Sequence, residues 1–145
     1  MKVKDIMTKN LIKTSIESTV SDAAKIMDGK NIGSLLIEEN GKIIGIITER
    51  DILRKIVAKG RNPDETSVKD IMTSPLITID AENSIEEANE LISKNKIRRL
   101  PVEENGEIVG IITLRDVSNN LRYSLGKSII KDNGTNYYRP SYGKD

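Results

Sequence analysis

The chain has no cysteine and no histidine among its 145 residues, and neither tryptophan nor phenylalanine. Without cysteine there is no disulfide framework, no thiolate nucleophile and no thiolate metal site. Without histidine the usual general base and the commonest transition-metal ligand are missing as well. A Ser-His-Asp hydrolase is therefore excluded, which leaves carboxylate or lysine chemistry and a Mg²⁺ site of oxygen ligands. Charge of one sign is also lacking: 23 Lys and Arg stand against 22 Asp and Glu, so bulk charge directs the chain neither to nucleic acid nor to an anionic membrane. Long apolar runs are absent. Stretches such as Ile43-Ile44 and Ile46-Ile47 fall far short of the roughly 20 residues that cross a bilayer, and no apolar signal region follows Met1 to Asp5. These absences predict a soluble, cytoplasmic protein without a membrane partner. Abundant Ile, 31% charged residues and no Cys follow a compositional trend of thermophile proteins.

What the chain does contain is a repeat. Residues 3–53 align with 68–118 at a constant offset of 65 without a gap, and about 23 of the 51 aligned positions are identical. Val3-Lys4-Asp5-Ile6-Met7-Thr8 recurs letter for letter as Val68-Lys69-Asp70-Ile71-Met72-Thr73. Glu38-Glu39-Asn40-Gly41 returns as Glu103-Glu104-Asn105-Gly106, and Gly45-Ile46-Ile47-Thr48 as Gly110-Ile111-Ile112-Thr113.

Each copy reads as a short helical turn, a short strand, a helix, a two-stranded hairpin and a second helix. Leu11 to Thr14 and Leu76 to Ile79 are β-prone. Ser18-Thr19 and Asn83-Ser84 then offer caps for helices whose apolar stripes are Val20, Ala23, Ala24, Met27 and Ile85, Ala88, Leu91, Ile92. Asn40-Gly41 and Asn105-Gly106 predict type I′ turns, because both central positions need positive φ. The predicted organisation is unit 1 over 1–58, a Gly- and Pro-containing linker over 59–65, unit 2 over 66–122, and a tail over 123–145. The tail holds all four tyrosines and is locally basic. The fold class is α/β (α+β), two tandem β-α-β-β-α units. A lone unit of about 60 residues buries little surface, so the copies are expected to pack sheet to sheet about a pseudo-twofold axis, and either half alone is expected not to fold.

The segment with most chemical content is Gly45-Ile46-Ile47-Thr48-Glu49-Arg50-Asp51, repeated as Gly110-Ile111-Ile112-Thr113-Leu114-Arg115-Asp116. In each, a strand runs into a helix. Thr48 and Thr113 fall at the N-cap with Asp51 and Asp116 three residues on, which suits a capping arrangement. The same helix start presents free N–H groups and positive dipole to an anion, and a carboxylate there can accept ribose hydroxyls. The two roles are compatible.

The Ile-Met-Thr start, the Asn-Gly hairpin and the Gly-apolar-apolar-Thr-x-x-Asp segment, in that order over residues 3–121, resemble a pair of CBS domains. The resemblance implies a non-catalytic sensor whose clefts hold an adenine nucleotide such as AMP, ADP or ATP, with no obligatory cofactor. It implies ribose contacts from Asp51 and Asp116, ribose or phosphate contacts from Thr48 and Thr113, and added contacts from Arg50 and Arg115. It also implies a base near the first short strand of each copy, around Ile12 and Thr14 in one and Ile77 and Thr78 in the other. With no aromatic before Tyr123, aliphatic side chains have to clamp that base. Arg98 and Arg99 align with Gly33 and Ser34, so the second copy alone carries cations there. They read either as phosphate contacts or as exposed arginines bridging to Glu103 or Glu104. Adjacent residues on an extended segment point to opposite faces, so the two arginines are expected to do different jobs. A homodimer and an unidentified regulated protein partner complete this reading. Two others stay open: an assembly module with vestigial clefts, and a nucleic-acid binder acting through the basic tail.

Overall fold

The computed structural model describes residues 1–122; the expectation of a basic, tyrosine-containing tail lies outside the described residues. The first unit contains α1 (Val3–Ile6), β1 (Lys13–Ser15), α2 (Val20–Lys30), β2 (Ser34–Glu39), β3 (Lys42–Thr48) and α3 (Glu49–Ile52), which runs on into a wide π turn, Leu53–Val57. The second contains a 3₁₀ turn (Val68–Asp70), β4 (Ile79–Asp80), α4 (Ile85–Asn95), β5 (Arg99–Glu104), β6 (Glu107–Thr113) and α5 over 114–122. This is the mixed α and β architecture that the repeat predicted. The first strand of each unit begins later than its apolar run suggests: β1 pairs Thr14 with Ile37 and β4 pairs Ile79 with Val102. Ile12 and Ile77 instead pack as partly buried side chains on the two cores.

Local chemistry explains the elements. Thr19 and Ser84 cap α2 and α4, their hydroxyls accepting from the N–H groups of Asp22 and Glu87 at 3.1 Å. Asn40-Gly41 (φ 50 and 78) and Asn105-Gly106 (φ 52 and 80) turn the two hairpins with both residues at positive φ. Each hairpin has a parallel third strand, giving sheets β1-β2-β3 and β4-β5-β6.

Strand alternation divides each sheet between two environments. Leu35, Ile37 and Ile47 enter the first core with Val20, Ala23, Met27 and Ile56, and full burial of each large side chain is worth roughly 1.5–3 kcal/mol. Leu36, pointing the other way, is also fully buried, and its cross-strand neighbour Ile46 is nearly so. Their face is covered by the other unit: Ile46 and Thr73 exchange backbone hydrogen bonds of 3.2 and 2.9 Å, and Thr8 and Ile111 exchange bonds of 2.8 and 2.9 Å. A further pair of bridges joins Lys2 to Ser84 and Thr19 to Ser67. Every one of these contacts has its counterpart at the offset of 65, which is the pseudo-twofold relation written in hydrogen bonds.

The repeated Val-Lys-Asp-Ile-Met-Thr segment crosses between units. Val3, Ile6 and Met7 pack in the core of the second unit with Ile79, Ala88, Leu100 and Ile112. Val68, Ile71 and Met72 pack in the core of the first. Each core is thus completed by residues that precede the other repeat in the chain.

Candidate functional site

The exchange brings the start of α3 against the start of β5. Between them lies a cleft of about 160 Å³ lined by Thr48, Arg50 and Asp51 from the first unit and Ile77, Arg98 and Arg99 from the second. Its walls are aliphatic, from Ile46, Ile77, Ile97 and Pro101, and Thr73 and Lys96 complete the lining. Six of the residues singled out in the sequence therefore meet in one place. Its volume is below the roughly 300 Å³ at which ligand pockets commonly start.

Asp51 is held in a capping box. The Thr48 N–H donates to Asp51 Oδ2 at 2.9 Å, the Thr48 hydroxyl donates to the same oxygen at 3.1 Å, and the Asp51 N–H donates back to Thr48 Oγ1 at 3.2 Å. Lys55, one turn on, approaches Asp51 Oδ1 at 3.2 Å and donates to the Ile71 carbonyl of the crossing segment at 2.9 Å. The carboxylate is thus fixed in direction, and its side chain keeps 15% exposure towards the cleft. Capping occupies both lone pairs of Oδ2 and leaves Oδ1, beside Lys55, as the oxygen with accepting capacity to spare. Thr113 and Asp116 repeat the box at 3.0 and 3.1 Å.

The remaining candidates are dispersed. Thr14 shares a 2.7 Å hydrogen bond with Ser18 and lines a surface depression beside Lys13 and Glu38. Thr78 donates to Glu103 at 2.9 Å and borders a separate polar depression. Thr113 and Arg115 line an open cavity of about 660 Å³ together with Arg98, Arg99, Arg122 and Glu49; Asp116 is not part of that lining. Arg98 is exposed and Arg99 half-buried, with its guanidinium turned towards the first unit and Nη2 3.8 Å from Glu49. Arg98 sits in the bend before β5 and Arg99 is the first residue of the strand, and both border the cleft.

Sequence reasoning missed Thr73, Lys96 and Pro101, and it missed Lys55. Thr73 belongs to a segment visible as a repeat, but which unit it would face could not be read before the exchange was known. Among the described residues there is no cluster of three or more metal-ligating side chains, and no helix is long and apolar enough to cross a membrane.

The CBS domain family profile matches residues 3–58 and 68–123. The chain belongs to the CBS-domain family. It is 35% identical over 118 residues to the CBS domain-containing protein YhcV of Bacillus subtilis, spanning 81% of this chain and 84% of that one. It is 40% identical to an uncharacterized protein of Methanopyrus kandleri, over 79% of this chain and 60% of that longer one. The inosine-5′-monophosphate dehydrogenase of Nitrosopumilus maritimus carries a matching stretch, 34% identical, that spans 85% of this chain but a quarter of the enzyme. Among solved structures, a putative signal-transduction protein with CBS domains from Burkholderia ambifaria superposes with a TM-score of 0.78 at 30% identity, covering 95% of this chain and all of that one. Another CBS relative, hypoxic response protein I, was solved with two coordinated zinc ions; this CBS pair has neither histidine nor cysteine to offer such ions.

Proposed function

We propose that this CBS pair is a non-catalytic regulatory module that binds an adenosine phosphate in the cleft between its two units. The observation that carries the reading is the convergence, across the unit boundary, of a fixed carboxylate at a helix start (Asp51) with two guanidinium groups (Arg98, Arg99) around an aliphatic slot. Each part matches one part of the ligand. The slot between Ile46, Ile77, Ile97 and Pro101 takes the base, Asp51 accepts ribose hydroxyls, and the arginines at the mouth meet phosphate through charge-assisted bonds. That a matching stretch forms a quarter of a dehydrogenase of inosine monophosphate supports a role as an add-on that reports on nucleotide levels.

The module works in the cytoplasm as a homodimer in this reading. Leu53 and Val57, at the two ends of the π turn that follows α3, are 59% and 66% exposed, and a CBS relative from bloom-forming cyanobacteria forms a hexamer. Ligand occupancy then changes affinity for a regulated protein partner.

Thermal melting with AMP, ADP, ATP, S-adenosylmethionine and NAD tests the function. A ligand that binds only the folded state, at about a hundred times its dissociation constant, adds roughly 2.7 kcal/mol of stability. At least one adenosine phosphate is expected to raise the melting temperature in a concentration-dependent way. A melting temperature indifferent to all five contradicts the proposal and favours an assembly module with unused clefts.

A further inference from the structure

The two helix starts carry the same Thr-x-x-Asp box but differ one turn further on. Lys55 follows Asp51 by four residues, and the equivalent position after Asp116 is Asn120. Asn120 turns back on its own helix, its amide donating to the Asp116 backbone carbonyl at 2.7 Å. Lys55 instead meets two groups at once: its ammonium lies 3.2 Å from Asp51 Oδ1 and donates to the Ile71 carbonyl at 2.9 Å. The helix is also built differently at this point. Leu53–Val57 is a π turn, closed by the Ala58 N–H on the Leu53 carbonyl at 2.9 Å, whereas the corresponding residues 118–122 are α-helical. Single wide turns of this kind are rare and frequently accompany functional sites. Two residues beyond Ile71, Thr73 lines the cleft and exchanges backbone hydrogen bonds with Ile46, which lines it too. Lys55 lies outside that lining, and from behind it ties the Asp51 carboxylate to the crossing segment that builds another wall of the cleft.

We propose that Lys55 is the positioning residue of the sugar-reading carboxylate: it aims Asp51 Oδ1 into the cleft and sets its place relative to the crossing segment. The inference rests on the nucleotide reading above and adds to it the residue that governs sugar recognition in this cleft. Thr48 takes up Oδ2 through its N–H and its hydroxyl, so a sugar hydroxyl has to be accepted by Oδ1. An ammonium anchored on a backbone carbonyl holds Oδ1 from one side and leaves the other for that hydroxyl. Without it the carboxylate is held through Oδ2 alone and swings about that oxygen, which lowers the fraction of time Oδ1 spends in the accepting position. The Lys55 side chain is 43% exposed, so solvent screens the pair and the effect on affinity is modest.

The test is calorimetric titration of AMP and of 2′,3′-dideoxy-AMP into the wild type, Lys55→Asn, Lys55→Arg, Asp51→Asn and the double variant Asp51→Asn with Lys55→Asn. Asparagine is the residue that the second unit carries at this place, and arginine keeps a charged donor. Melting curves verify that each variant is folded. Lys55→Asn is expected to weaken AMP by on the order of three- to tenfold and to leave the dideoxy compound unchanged, because only AMP presents hydroxyls to Oδ1. Lys55→Arg is expected to recover most of the AMP affinity, and Lys55→Asn to add no further loss once Asp51→Asn is present. Equal losses for both ligands would show that Lys55 acts through the fold and overturn the proposal, as would an additive loss in the double variant. If the wild type binds AMP better than dideoxy-AMP and Lys55→Asn alters neither affinity, this inference falls and the nucleotide reading stands. If the wild type does not bind AMP, both fall.

Discussion

The sulfur of Met72 lies in the space that a side chain at Gly45 would occupy, 2.6 Å from the position of its missing Cβ, and Met7 does the same at Gly110. These two contacts lock the crossing segments onto the hairpins. Alanine at either glycine is expected to destabilise the fold by about 1–3 kcal/mol through overpacking, which outweighs the roughly 0.5–1 kcal/mol that alanine gains over glycine within a strand. Gly110→Ala is expected to cost more than Gly45→Ala, because the Thr8 carbonyl lies at 3.0 Å where the Thr73 carbonyl lies at 3.2 Å. Urea midpoints of the two variants check both the sign and the order.

Exchange of the repeated segment makes Ile71 a core residue of the unit that precedes it in the chain. Ile71 is 1% exposed and packs with Leu35, Ile37 and Ile47. Ile71→Ala is therefore expected to cost about 2–5 kcal/mol, the range for truncating a buried isoleucine. A cost near that of a surface substitution, in chemical denaturation, would contradict the exchanged core.

The N-terminal segment is also held by charge. Glu82 accepts from the Lys2 and Lys4 ammonium groups, the latter at 2.6 Å. These hydrogen bonds hold its carboxyl down at about 2, below the roughly 4.3 of a free glutamate. A depressed carboxylate contributes stability that is complete above its unfolded value and fades as pH falls through its folded one. The stability gap between wild type and Glu82→Gln is accordingly expected to close between about pH 4.3 and 2, and to shrink with added salt. Urea midpoints measured across that range, at low and high salt, check this; a gap that stays constant with pH contradicts it.

At the cleft, capping and ligand contact can be separated. Thr48→Ala removes the acceptor of the Asp51 N–H and the donor to Asp51 Oδ2, and is expected to cost about 1 kcal/mol. Asp51→Asn keeps an oxygen for the Thr48 N–H and is expected to cost less, while impairing ribose recognition more. Thermal melts with and without AMP distinguish the two; if both variants lose only stability and bind alike, Asp51 is a cap and nothing further.

Much of this architecture was legible because it is periodic. The offset of 65, the Asn-Gly turns and the Thr-x-x-Asp boxes are local signals, and local physics realises them. The crossing of Val3 and Val68 into the opposite cores was not legible, since identical segments satisfy either core equally well. Lys55 escaped notice because its role depends on Ile71 arriving beside it from the other unit. Arg99 stands out in the sequence by its charge, but its seat beside Gly33 depends on the side chain that glycine lacks and on the packing of the two units. Thr14 and Thr78 lie outside the lining of the cleft between the units, where their hydroxyls are engaged with Ser18 and Glu103.

Calorimetric titration of AMP into the wild-type chain and Asp51→Asn is the decisive measurement. The cleft between the units predicts saturable binding to the wild type and a loss of at least about tenfold in affinity, near 1.4 kcal/mol, at one site in the variant. Absence of binding to the wild type, or affinity and stoichiometry unchanged by Asp51→Asn, would contradict it.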